Sequence, residues 1–397
     1  MGNFIHPHKK INKSLTFAAS ILRTNAVKKK VTYIVSNINK ALAFEWVAQG
    51  LDKDRFILSF LLLNPGDSAL ERELRKLDVE VKRIPYRGKK DMPIAFLKVF
   101  FWLLKHPPDM VHVHLFDACL IALPAAWLAG IKKRIHTRHS SVYHLEEHPH
   151  IVKYDLMINH FSTTIVSISK NVSQVLEVEE GVDKRKIVLI YHGFKLEDFE
   201  NVSPERIAAL QTKYQTKGRH PVIGVISRYI GWKGIQYIIP AFEKLLETHP
   251  NALLLLANGN GEYWREVRQL LKNLPPDNFI EIGFEEDLFA LYQLFDVFVH
   301  VPVSSRSEAF GQTYVEALAA GIPSVFTLSG IASEFITDKN NAIVVDYKNS
   351  ETIHQSMLEL LNNKSLAETI TKNGREDVYE RFQLNNMLTN LENLYAG

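Results

Sequence analysis

From residue 31 onward the chain repeats one unit: a short apolar run rich in β-branched residues, then an amphipathic stretch of about 10–15 residues. The runs span 31–36, 55–62, 79–84, 110–114, 134–137, 164–168 and 187–190. Near-continuous apolar strands alternating with helices form parallel sheets covered on both faces. A polar stretch over 192–218 interrupts the rhythm, which restarts at 221–227 and continues at 252–257, 279–282, 297–301, 322–326 and 342–345. The pattern predicts an α/β protein of two doubly wound, Rossmann-like parallel-sheet domains facing each other across a cleft. The expected boundaries are a basic tail over 1–30 (partly helical over 14–24), a first domain over 31–198, a second over 199–375, and a closing helix over 376–397 that packs back on the first domain. The region from residue 350 reads as helical, with stops at Asn362-Asn363 and Asn373-Gly374.

Composition narrows the class. The 397 residues are 46% hydrophobic and 23% charged, which excludes a disordered chain and a coiled-coil rod. The single cysteine, Cys119, excludes a disulfide framework and a cysteine-zinc site, and reads as a small core residue. No run reaches the roughly 18 apolar residues of a membrane span, and no apolar run closes on a small-residue cleavage site, so no signal peptide is expected. These features predict a cytoplasmic protein, with peripheral attachment to the membrane's cytoplasmic face as a further expectation. Residues 1–40 hold eight Lys or Arg and no acid, whereas the remainder carries 39 basic against 44 acidic residues. Residues 82–105 add seven basic residues against Asp91 alone. This bias suits an anionic membrane surface or a solvated face. Without aromatics interleaved among the cations, no nucleic-acid partner is expected. The apolar stretch 94–104 reads as a buried packing helix or, alternatively, a membrane-dipping surface.

Chemistry is sought in the loops after the strands, where open α/β sheets bind ligands. In the second domain the first such loop reads Ser227-Arg228-Tyr229-Ile230-Gly231-Trp232-Lys233-Gly234. Arg228 leaves the strand and Lys233 stands at the next helix start; two cations beside unpaired helix N–H groups suit a phosphate or pyrophosphate. A later loop and helix carry Glu308, Phe310, Gly311, Thr313 and Glu316. Carboxylates accept paired hydroxyl hydrogen bonds, which suits sugar or ribose diols. Nine of sixteen histidines lie between His106 and His160, but none has the spacing of a zinc motif, and no metal site is expected. Gly259-Asn-Gly261 is half a dinucleotide fingerprint, with Trp264 in place of the third glycine, so NAD is not favoured.

The pairing of Arg228-x4-Lys233-Gly234 with Glu308-x7-Glu316 resembles the family-four (group 1) retaining glycosyltransferases of GT-B fold. The resemblance covers about residues 31–397 and extends to Gly283-Phe284, to Gly330 with Glu334, and to Thr137-Arg138-His139 in the first domain. It implies transfer of a sugar from a nucleotide-diphosphate donor, UDP being the family's usual base, onto a hydroxyl of a glycan or lipid-linked acceptor. It implies that Arg228 and Lys233 hold the diphosphate, that Glu308 binds the transferred sugar with backbone N–H groups near Phe310 and Gly311, and that Glu316 binds the ribose. Thr313 joins the donor site, His139 reaches the sugar from the opposite domain, and Gly283-Phe284 faces the base through backbone atoms. It implies no metal and no cofactor beyond the donor. The family's first-loop glycine pair is replaced by Ser36-Asn37-Ile38-Asn39-Lys40, with Glu45 where a family glutamate often lies, and Arg306 sits in an inserted Ser-rich loop. An epimerase or phosphorylase of the same fold, and a catalytically silent binding subunit, are the alternatives.

Overall fold

The computed structural model describes residues 27–397, so the expected helix over 14–24 and most of the tail lie outside the described residues. The first sheet begins at Lys29. Its seven parallel strands are β1 (Lys29–Ser36), β2 (Phe56–Asn64), β3 (Glu80–Pro85), β4 (Met110–His114), β5 (Lys133–Arg138), β6 (Thr164–Ser167) and β7 (Ile187–Leu189), in spatial order 3-2-1-4-5-6-7. The second sheet has six, β8 (Val222–Ile226), β9 (Leu253–Ala257), β10 (Phe279–Ile282), β11 (Val297–His300), β12 (Ser324–Phe326) and β13 (Ile343–Val344), in order 10-9-8-11-12-13. Both sheets reverse direction between their first and fourth strands, where loops diverge and leave a crevice at the strands' carboxyl ends.

The strands read as continuous apolar runs because both faces are covered. Along β1 and β2, Val31, Tyr33, Val35, Phe60 and Leu62 join a core against the helices Leu42–Gly50 and Ala69–Lys76. Their alternates Ile34, Leu61 and Leu63 join a separate core against the helices Met92–Lys105, Phe116–Leu128 and Val152–Phe161. Cys119 is buried in this second core, which pushes its thiol pKa up. Of the Met92–Lys105 helix only Ala95, Val99 and Leu103 are buried; Ile94, Leu97, Phe101 and Leu104 are exposed. The expectation of a fully packed helix therefore fails: it is apolar on two sides, and one has no partner among the described residues.

The structure corrects two boundaries in the C-terminal region and one at the crossover between the domains. The helix Lys364–Arg381 runs straight through the expected stop at Asn373-Gly374 and through the expected boundary at 375/376; the break falls at Phe382-Gln383. Gly374 is there for proximity: a Cβ would stand 2.7 Å from Leu318 Cδ2 and 3.0 Å from the Asn341 carbonyl. The boundary at 198/199 falls inside the short helix Glu197–Glu200, whose Phe199 already packs on Phe289 and Tyr292 of the second domain. The chain crosses between domains at 191–196 and returns at 382–384, where Phe194 N–H donates to Phe382 O and Leu384 N–H donates to Phe194 O.

The last helix, Leu384–Ala396, lies on the first domain. Met387, Leu388, Leu391 and Tyr395 complete the core around Val31, Tyr33 and Phe44. Tyr395 Oη is 2.6 Å from both Tyr33 Oη and His112 Nδ1. Lys29 donates to the carbonyls of Tyr395 and Ala396, and Lys133 to that of Leu394, so two cations sit on the helix C-terminus, where the macrodipole favours them.

Candidate functional site

A cleft cavity of about 750 Å³ lies between the two sheets' carboxyl ends, within the size range of small-molecule sites. The first domain lines it with Lys40–Ala43 after β1, His139–Ser141 and Tyr143 after β5, and His192–Phe194 after β7; the second with loops after β8, β9, β10 and β11. Of the ten expected site residues nine line this cavity: His139 from the first domain, and Arg228, Lys233, Phe284, Glu308, Phe310, Gly311, Thr313 and Glu316 from the second. Gly283 stands just outside the lining, and its neighbour Phe284, which is exposed, forms that part of the cavity.

Lys233 ends a single 3-10 turn, Gly231–Lys233, and lies over the Trp232 ring with Nζ 4.6 Å from its centroid. Gly234 then turns at φ +80°, where a Cβ would sit 1.9 Å from the Val301 carbonyl oxygen, so this close crossing of two loops admits only glycine. Lys233 stands one residue before Gly234, the N-cap of the helix Ile235–Thr248, as expected, but that helix's own first residues do not line the cavity. A second helix N-terminus does: Gly311, Gln312 and Thr313, at the start of the helix Gln312–Ala319. Arg228 is exposed in the cleft.

Lys233 Nζ donates to Glu308 Oε1 at 2.5 Å, and His300 Nε2 lies 3.0 Å from the same oxygen. Burial alone would raise the Glu308 pKa, but Lys233 and the His300 hydrogen bond hold it down at about 2. An ionised carboxylate only accepts, so Nε2 carries the His300 proton; burial keeps that imidazole neutral despite Glu308. His300 was missed at the sequence level. Its one signal is position, a polar residue closing the apolar strand Val297–His300 directly before the loop that bears Glu308. Glu316 is buried, accepts from Tyr292 Oη at 2.8 Å, and burial pushes its pKa up to about 7.

Opposite these acids His139 lies with Nε2 3.2 Å from His114 Nδ1 and its ring stacked on His192. Burial lowers its pKa to about 4, so it is neutral. His112, His114, His136 and His192 are likewise held neutral by burial. Among the described residues no three His, Cys, Asp or Glu side chains converge to hold a metal ion. The His139 turn is braced from below: Arg138 donates to Ser140 O at 3.1 Å, Asp155 Oδ1 at 2.5 Å and Glu180 Oε1 at 2.6 Å, and Glu180 also accepts from Asn159 at 2.6 Å.

The two walls are tied together. Ser169 Oγ donates to Ala309 O at 2.5 Å, and Asn171 Nδ2 to Glu308 O at 2.9 Å and Ser141 Oγ at 2.8 Å. Glu334 accepts from Lys170 N–H at 2.6 Å and Tyr191 Oη at 2.7 Å. Arg306 does not face the cavity but pairs with Glu179 of the first domain at 2.9 Å. The first loop is pinned, since Asn64 bonds both the N–H and the carbonyl of Ile38.

The chain matches the family Glycosyl transferases group 1 over residues 207–377 and Glycosyltransferase Family 4 over residues 46–198. It is 29% identical over 238 residues to an uncharacterized glycosyltransferase of Methanocaldococcus jannaschii, in a match covering 59% of this chain and 60% of that protein. It is 24% identical over 338 residues to the capsular polysaccharide biosynthesis glycosyltransferase CapM of Staphylococcus aureus, covering 82% of this chain and 87% of CapM. The fold is similar to that of Anabaena HepE, solved in complex with UDP-glucose, with TM-score 0.79 and 19% identity over 93% of this chain and 100% of that one.

Proposed function

Since the chain belongs to the GT-B glycosyltransferases of the group 1, family-four type, we propose that it transfers a sugar, with retention at the anomeric carbon, from a UDP-sugar to a hydroxyl of a glycan or lipid-linked acceptor. The observation that carries this is the gathering of Arg228, Lys233, Glu308 and Glu316 on one wall of a single cavity, with His139 on the other. The two cations and the N–H groups opening the Gln312–Ala319 helix suit a diphosphate. Glu308, fixed in its ionised form, suits hydroxyls of the sugar, and Glu316 suits the ribose diol. CapM's role in capsular polysaccharide biosynthesis and HepE's UDP-glucose complex support this donor and acceptor class.

In the proposed step the anomeric carbon–oxygen bond breaks with its electron pair going to the diphosphate. The acceptor oxygen bonds the same carbon from the same face, and its proton passes to the departing phosphate oxygen. Arg228 and Lys233 stabilise the charge that develops on the leaving group, so the step needs no divalent ion. The enzyme works on the cytoplasmic side of a membrane, where such acceptors are assembled. A donor screen with product analysis tests this: transfer with retained anomeric configuration, surviving a chelator, is expected. Free epimerised sugar nucleotide, phosphate-dependent cleavage or no turnover of any donor overturns it.

Glu316 gives a separate prediction. Ribose hydroxyls prefer an ionised acceptor, so UDP binding lowers the Glu316 pKa from about 7 and releases a proton. UDP affinity should rise with pH up to about 7 and fall below it. The β-phosphate, titrating near pH 6, contributes in the same direction, so the difference from Glu316→Gln isolates the carboxylate. That variant should bind UDP about 10- to 100-fold more weakly near pH 8 and lose its share of the slope. Calorimetry in two buffers of different ionisation enthalpy reads both, and an unchanged UDP affinity removes Glu316 from the ribose site.

A further inference from the structure

The Met92–Lys105 helix uses one apolar stripe to join the core and shows a second to the outside. Ile94, Leu97, Phe101 and Leu104, at helical spacings of three and four, are 58%, 51%, 61% and 50% exposed. The neighbouring helices also expose apolar side chains: Trp127 and Leu128 end Phe116–Leu128, and Tyr154 and Leu156 stand on Val152–Phe161. A groove of about 450 Å³ runs between β3 and the first of these helices, lined by Ile94, Leu97, Phe101 and Trp102 with Lys82 and Lys98 at its margin. A single exposed leucine needs no explanation, but a contiguous facet of this kind marks a binding surface.

Its charge decides the occupant. Lys89, Lys90, Lys98, Lys105, Lys132 and Lys153 are exposed around the facet and make no ion pair among the described residues. Asp91, the one acid among residues 82–105, is engaged by the Arg87 N–H. A second copy docking here would bring these lysines together, and the chain's own first 26 residues are themselves basic and free of acid. An anionic bilayer matches both halves of the pattern, since lysine stems lie on apolar surface while their ammonium groups reach the headgroups.

We infer that this facet, centred on Leu97 and Phe101 and rimmed by lysines, docks the first domain on an anionic membrane surface. The inference rests on the reading of a membrane-borne acceptor only for its purpose; binding itself is measured without a transferase assay. The full chain is sedimented with vesicles of phosphatidylcholine alone, or with added phosphatidylglycerol, at low and high salt. Binding should require the anionic lipid, fall with salt, and weaken by about fivefold for each lysine among Lys89, Lys90, Lys98 and Lys105 changed to Ser. Leu97→Glu with Phe101→Glu adds charge only at exposed positions, so the fold is retained; it should lower binding about tenfold or more while leaving UDP affinity as in the wild type. Four outcomes overturn the inference: equal recovery with neutral and anionic vesicles, no recovery with either, unchanged binding of the double variant, or a dimer that the double variant dissolves in a chain that ignores vesicles. A wild type that binds anionic vesicles but no UDP leaves this surface standing and sinks the donor assignment instead.

Discussion

In a Lys233→Ala variant, turnover of the donor should fall by roughly 100- to 1000-fold, the usual effect of removing one preorganised group from a developing oxyanion. On the proposed reading Lys233 serves two partners, the leaving diphosphate and Glu308. Its Nζ sits 2.5 Å from Glu308 Oε1, in the same cavity as Arg228 and the opening of the Gln312–Ala319 helix. Removing it takes a cation from the leaving group and also releases Glu308, whose carboxyl is then held down by His300 alone and rises toward the range that burial dictates. The variant should therefore acquire an acidic limb in its pH–rate profile that the wild type lacks. Arg228→Ala should act in the same direction, and the double variant should lose less than the sum because both cations hold one group. Turnover within threefold of wild type in a folded Lys233→Ala protein removes this lysine from the diphosphate site.

The second large effect is on stability. Arg138 is 2% exposed and carries two buried carboxylates, Asp155 and Glu180. Arg138→Leu leaves both without their cation, a change that costs about 3–5 kcal/mol when a buried pair loses one member. Glu180, already pushed up by burial with Arg138 as the chief opposing influence, would then favour its neutral form more strongly. The variant should be least stable at neutral pH and recover part of the loss as pH falls toward 5, where the folded form takes up the proton that the unfolded chain, with its ordinary carboxyl, does not yet bind. Urea titrations at pH 5 and 7.5 read this. A loss below about 1 kcal/mol at both would mean that solvent reaches the two acids.

The thirteen strands were legible because a strand buried on both faces leaves a local mark, a short and nearly continuous apolar run. The residues that line the cleft were legible for a related reason: most occupy the loops after those strands or the helix starts that follow, so finding a strand finds its loop. What stayed hidden depends on contacts between distant segments. Gly374 has the composition of a helix stop but serves a close approach to Leu318 and Asn341, 33 or more residues away in sequence. The helix N-terminus that lines the cavity beside the cations opens at residue 312 rather than 235, a placement that depends on the loop after β11 folding against the loop after β8. His300 looks like an ordinary strand end until Glu308 folds back onto it. The Met92–Lys105 helix is apolar nearly all round, and sequence alone does not tell how much of that surface finds a partner.

The packing of Leu384–Ala396 on the first sheet sets synthesis order against assembly order. Chains commonly fold their N-terminal domain while the remainder is still being made. Here Tyr33 and His112, translated early, await Tyr395, which follows His112 by 283 residues. The second sheet and its helices, contiguous from about residue 195 to 381, can close beforehand. A nascent chain therefore carries an open first-domain core until the helix Leu384–Ala396 has been made. Truncation before Leu384 would leave an intact second domain and an unsealed first one, a ready target for quality-control proteases.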